Sequence, residues 1–92
     1  MSFSKDSAVE RAKKDLAQRL GVSETEITAS ASDADFPDMS LGTPVDGEMS
    51  AQMISNGWRI DLSANGKNYE YRADKYQLRL RGFNGTNYII ES

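Results

Sequence analysis

Val9, Ala12, Leu16 and Leu20 recur at three- and four-residue spacing, with Arg11, Lys13, Lys14, Asp15 and Arg19 largely on the other side. This period predicts one amphipathic helix over residues 4–20. Ser7 and Glu10 stand at capping-box spacing, and Ser4 offers an alternative N-cap one turn earlier. Gly21 follows where a left-handed C-terminal glycine is expected, and Arg19 suits the negative end of the helix dipole. Ser23-Glu24-Thr25-Glu26 repeats the capping pattern, but only Ile27 follows it, so a single turn is expected. Ile27 to Ser32 alternates apolar with hydroxyl residues and predicts a half-buried strand over 27–32, whose small side chains mean either that the helix packs very close to it or that it is a weak edge strand.

Periodicity then stops. Residues 33–47 form an irregular stretch that holds both prolines, Pro37 and Pro44, and a loop this long in a small domain marks a functional surface or closes the fold. Antiparallel strands are expected across 49–90. Met49 to Ile54 is a weakly periodic strand candidate, and Asn56-Gly57 is a turn signal. Trp58 to Ala64 and Lys67 to Ala73 alternate cleanly around Asn65-Gly66, the pattern of a two-residue hairpin whose turn needs positive φ at both positions. That turn sets Leu62 against Tyr69, Ile60 against Tyr71 and Trp58 against Ala73 on one face. It sets Asp61 against Glu70 and Arg59 against Arg72 on the other, where the diagonals Arg59–Glu70 and Asp61–Arg72 compensate the like charges. Leu78 and Leu80 extend the apolar face, Arg79 and Arg81 the polar one. Asn84-Gly85 folds the tail back, and a plain two-residue turn there pairs Leu80 with Ile89, leaving Tyr88 and Ile90 on the arginine face. The whole is an α+β domain, one N-terminal helix on a three- to five-stranded antiparallel meander, with the second sheet face uncovered.

Ninety-two residues make one domain, 1–92, with a thin core. The chain has no cysteine, which fits a reducing compartment, and its start has no apolar signal segment. No apolar run approaches the roughly 20 residues that span a bilayer, so no membrane contact is expected and the expected location is the cytoplasm. The absence of histidine removes His-based acid–base chemistry, serine triads and the commonest transition-metal ligand; an enzyme is not expected, and neither is a cofactor. Ser40 has no base near it in sequence to make it a nucleophile. The net charge of −3 is uneven: +2 over residues 1–21, −7 over 22–57 and +2 over 58–92. An acidic middle argues against nucleic acid as a partner.

Asp33, Asp35 and Asp38 have the chemistry for calcium, but lack the glycine and distal glutamate of a calcium loop; turn and cap roles account for them. Phe36, Met39 and Leu41 leave two readings open. They cap the core, as apolar residues under long loops usually do, or with Asp38 they form a proline-stiffened contact for a protein or peptide. Arg59, Arg72, Arg79 and Arg81 make either a solvated, salt-bridged face or an anion-binding one. With Tyr88 and Ile90 beside them, that face is also a candidate homodimer interface closed by the C-terminal strand.

Ala8 to Val22, Phe36-Pro37-Asp38 with Ser40-Leu41-Gly42 and Pro44, Gly57-Trp58-Arg59-Ile60 and Tyr69 to Asp74 together resemble PepSY-like domains over roughly residues 8–81. These are small bacterial modules associated with peptidase inhibition or regulation. The resemblance implies a helix-on-sheet fold and a non-enzymatic, peptidase-regulating role exercised through the 33–47 loop. Relatives commonly carry cysteine where Thr43 stands and another near the chain end; without them, the loop here must be held by packing.

Overall fold

The computed structural model describes residues 2–92; Met1 lies outside the described residues. Helix α1 spans Lys5–Leu20, a single 3₁₀ turn follows at Glu24–Glu26, and five strands complete the fold: β1 Thr28–Phe36, β2 Ser55–Ala64, β3 Lys67–Ala73, β4 Leu78–Phe83 and β5 Thr86–Glu91. The sheet is an antiparallel meander in the order β1-β2-β3-β4-β5, so the fold is α+β as expected. Ser4, not Ser7, is the N-cap of α1: its hydroxyl accepts the Ser7 N–H while the Ser7 hydroxyl accepts the Ser4 N–H. At the other end Gly21 adopts φ 69° and returns its N–H to the Ala17 carbonyl.

Ala8, Ala12 and Leu16 of α1 pack with Ile60, Leu62, Tyr71, Ala73, Leu78 and Leu80 into one core on the helix side of the sheet. The alanines let the helix approach closely, and each apolar side chain removed from water contributes about 1.5–3 kcal/mol for the larger residues. Within this core the Tyr71 hydroxyl donates to Asp15 Oδ2 at 2.7 Å, and Arg19 Nε donates to the same oxygen at 2.7 Å. Burial and the Asp15 carboxylate push the Tyr71 hydroxyl pKa far up, so it stays a hydrogen-bond donor. Asp15 and Arg19 thus anchor the helix to the sheet, although periodicity sets them on its polar side.

The β2–β3 hairpin has the expected register, with Asn65 at φ 53° and Gly66 at φ 76°. The expected diagonal charge pairs do not form. Glu70 instead pairs along its own strand with Arg72, 2.6 Å, and reaches Arg81 at 3.7 Å, while Arg59 lies 3.8 Å from Asp61.

Three further expectations are corrected. The first strand continues beyond Ser32 to Phe36, because Asp33 to Phe36 stay paired with Trp58 to Ser55; the ladder overrides the poor strand propensity of the aspartates. Residues 49–54 form no strand, and the irregular segment is 37–54. Asn56-Gly57 is no turn: it lies within β2, where a Cβ on residue 57 would stand 2.0 Å from the Ala73 carbonyl oxygen. The glycine is there for close backbone approach.

The last hairpin also slips. Gly82, at φ 65°, inserts an extra residue into β4, and its N–H is satisfied by Asn87 Oδ1 at 2.9 Å. Leu80 therefore pairs with Tyr88 and Arg79 with Ile89. Tyr88 and Ile90 turn to the helix side and pack on the core, with the Arg19 guanidinium 4.5 Å from the Tyr88 ring centre. Neither residue joins the arginine face.

Candidate functional site

The second sheet face is not open. Residues 37–54 fold back over it, and the sequence Asp38-Met39-Ser40-Leu41-Gly42-Thr43 shows how. Asp38 Oδ1 accepts the Ser40 N–H at 2.9 Å, the Ser40 hydroxyl at 2.6 Å and the Gly42 N–H at 3.1 Å, which closes a tight turn. Leu41 and Gly42 both take positive φ, 59° and 70°, and a side chain on Gly42 would meet Arg72 Nη1 at 2.7 Å. Ser40, Leu41 and Thr43 are buried by this reversal, and Phe36 is buried with the Arg72 guanidinium 5.4 Å from its ring centre.

The arginines of the sheet face hold the loop down. Arg72 Nη1 donates to the Leu41 carbonyl at 2.9 Å. Arg79, only 3% exposed, donates through Nε to Gln77 Oε1 at 2.7 Å and through Nη1 to the Thr43 carbonyl at 3.1 Å, and both its terminal nitrogens grip the Glu48 carboxylate. Gln77 Nε2 donates to the Met39 carbonyl at 2.6 Å. These charge-assisted bonds hold Thr43, whose hydroxyl donates to the Ser40 carbonyl at 3.0 Å, without a covalent cross-link.

This geometry reassigns the residues singled out from sequence. Phe36 and Leu41 are packed beneath the loop and offer no surface, Asp38 is consumed by the turn, and only Met39 is exposed, at 39%. The three apolar residues do not act together: two seal the second sheet face. Arg72 and Arg79 are occupied by the loop, so they form no free anion site with Arg59 and Arg81, which face solvent beside Asp61 and Glu70. A sheet-to-sheet homodimer would need the face that the loop covers.

Acid should loosen this lock. The Ser40 hydroxyl, then the Gly42 and Ser40 N–H groups, hold the Asp38 carboxyl below its ordinary range, and the Arg79 guanidinium does the same for Glu48. A carboxyl whose pKa is depressed on folding stabilises the fold above its unfolded pKa, near 4, and that stability is lost as pH falls through the folded value. Chemical denaturation midpoints should therefore hold steady from neutral pH to about pH 5 and fall below about pH 4. In Asp38→Asn the midpoint at pH 7 should already be lower and the acid limb shallower.

An accessible groove of about 600 Å³ lies at the end of the sheet. Met39 and Ile54 come from the irregular segment, Trp58 from β2, and Tyr76 from the turn between β3 and β4. Asp74 sets that turn, its Oδ1 accepting the Tyr76 and Gln77 N–H groups at 2.8 and 3.0 Å. Ile54 is 74% and Tyr76 68% exposed. Asp33 and Asp35 bring carboxylates to the rim. Neither Ile54 nor Tyr76 stands out in the sequence; for Tyr76 the available signal is a bulky apolar residue in a turn after Asp74-Lys75. Among the described residues, no three Asp, Glu, His or Cys side chains gather to hold a metal ion, and no helix is long and apolar enough to cross a membrane.

The chain is an α+β domain of one helix on a five-stranded antiparallel meander, with a clamped loop and a shallow apolar groove. Residues 9–81 match a family described as a domain of unknown function, DUF8738, and the chain belongs to that family. Neither a curated protein nor a solved structure matches the chain.

Proposed function

We propose that this protein is a non-enzymatic binding module that takes up a segment of a partner protein in the groove formed by Met39, Ile54, Trp58 and Tyr76. One observation carries the reading. Of the six large apolar side chains left exposed among the described residues, Met39, Ile54 and Tyr76 line this groove, and Met53 adjoins Ile54 in the chain. Exposed apolar side chains gathered in one place mark contact surfaces more than singly scattered ones do. The clamp of Arg72, Arg79 and Gln77 on the loop backbone supports the reading, because a surface held in place loses little entropy on binding. The loop therefore contributes through its Met39 end and not through Phe36 and Leu41. The PepSY-like resemblance supports a peptidase as the partner class, and a chain without cysteine suits the cytoplasm.

The test is site-specific photo-crosslinking in cells. A photoreactive residue at Ile54 should join one discrete partner, whereas the same residue at Gln18, on the exposed side of α1, should join none. Equal adducts from both positions, or none from Ile54, would exclude the groove.

A further inference from the structure

The two edges of the sheet are built differently. β5 is six residues long, and its ladder with β4 is broken twice by register shifts, which twist an edge away from further pairing. β1 is nine residues long and pairs with β2 in one unbroken register from Thr28–Ser63 to Phe36–Ser55. It carries no proline, no lysine and no bulge, and its charged side chains, Asp33 and Asp35, are confined to its C-terminal half. Every second residue of such a strand aims its N–H and C=O away from the sheet. Among the described residues, no backbone hydrogen bond outside the ladder engages residues 28–36.

The side chains leave room beside that edge. On the helix side of β1 stand Ala29, Ala31, Asp33 and Asp35, opposite Leu62, Ile60, Trp58 and Asn56. Between Ala29, Ala31 and the Val9 flank of α1 lies an open trough of about 470 Å³, with Asp6 and Glu10 on its wall. Lys5 lies 2.9 Å from Asp33, and Lys75 lines the adjoining groove with Asp33 and Asp35. Among the described residues, four carboxylates, Asp6, Glu10, Asp33 and Asp35, thus stand along β1 and its flank against two ammonium groups, Lys5 and Lys75.

We propose that β1 accepts an added antiparallel strand from a partner protein, and that this strand is cationic at the end that meets Asp35 and Asp33 and small and apolar where it meets Ala31 and Ala29. Backbone bonds from the open edge supply the docking, and the alternate side chains supply the selectivity. Charge decides against a second copy of this chain: two β1 strands side by side would gather both copies' Asp33 and Asp35 along one seam. The proposal rests on the binding-module reading but not on the groove, which it adjoins at Asp33 and Asp35.

The probe is a nine-residue peptide matched to β1, Thr-Lys-Thr-Lys-Thr-Val-Thr-Val-Thr, which sets its lysines opposite Asp35 and Asp33 and its valines opposite Ala31 and Ala29. Added to the full chain at up to about 1 mM, it should slow hydrogen exchange of outward amides within residues 28–36. The reversed peptide and a Lys→Glu version should bind at least about 10-fold more weakly. Asp33→Asn/Asp35→Asn should cost about 10-fold, and Ala29→Lys, which adds a charge at the edge, should abolish protection. The Ile54→Ser/Tyr76→Ser variant should keep the protection, so failure of the groove and failure of the edge are read separately. No slowing of the β1 amides would overturn the proposal, as would equal binding of all three peptides, loss of protection in the groove variant, or concentration-dependent protection of β1 without peptide.

Discussion

Arg79→Ala should destabilise the fold by about 3–5 kcal/mol, the cost of removing one partner from a buried ion pair. A domain of this size holds only roughly 5–10 kcal/mol in all, so the variant should be partly unfolded at 37 °C. The magnitude follows from how many groups the guanidinium serves. Its loss strands the Glu48 carboxylate, the Gln77 amide oxygen and the Thr43 carbonyl, all in or beside a surface that the loop seals from water. Urea denaturation followed by Trp58 fluorescence measures the loss, and amide exchange over residues 38–48 should rise with it. Arg79→Met/Glu48→Met removes both charges and should recover more than half of the deficit. A loss under about 1 kcal/mol in Arg79→Ala would show that the loop does not depend on this residue.

Gly57→Ala should cost about 3 kcal/mol and lower Tm by about 10–20 °C. Ordinary small-to-large strain is relieved by side-chain movement, but here the obstacle is backbone. The added Cβ would meet the Ala73 carbonyl oxygen at 2.0 Å, its carbon at 3.0 Å and Asp74 Cα at 3.1 Å. Relief requires the end of β3 to move away from β2, which also disturbs the Asp74 cap beneath Tyr76. Asn56→Ala, at an exposed neighbouring position, should stay within about 0.5 kcal/mol. Calorimetry of the two variants checks both, and an unchanged Tm for Gly57→Ala would sink the steric account.

These two residues also mark where sequence reading fails. Arg79 sits on the outward face of an alternating strand, and period-two alternation says which side of the sheet a residue faces, not what lies over that side. Gly57 follows an asparagine, and Asn-Gly signals a turn only where the flanking segments pair with each other; here Asn56 and Gly57 are opposed by Asp35 and Ala34 of a strand over twenty residues away. The candidate groove was less legible still. Of its residues the sequence points to Met39 alone for a partner, because exposure of Ile54 and Tyr76 depends on where two separate turns come to rest.

Local chemistry by itself determined the helix and the central hairpin. Ser4 and Gly21 cap α1 through bonds spanning three and four residues, and Asn65-Gly66 sets the β2–β3 register through two backbone angles. Such bonds close within a few residues and need nothing from the rest of the chain. Tertiary structure decided everything that depends on a distant partner: the length of β1, the slip at Gly82 that carries Tyr88 and Ile90 to the helix side, and the loop seated on Arg72 and Arg79. A guanidinium is equally content with water or with a buried carbonyl and carboxylate; only the folded chain, by bringing Leu41, Thr43 and Glu48 within reach, selects between them.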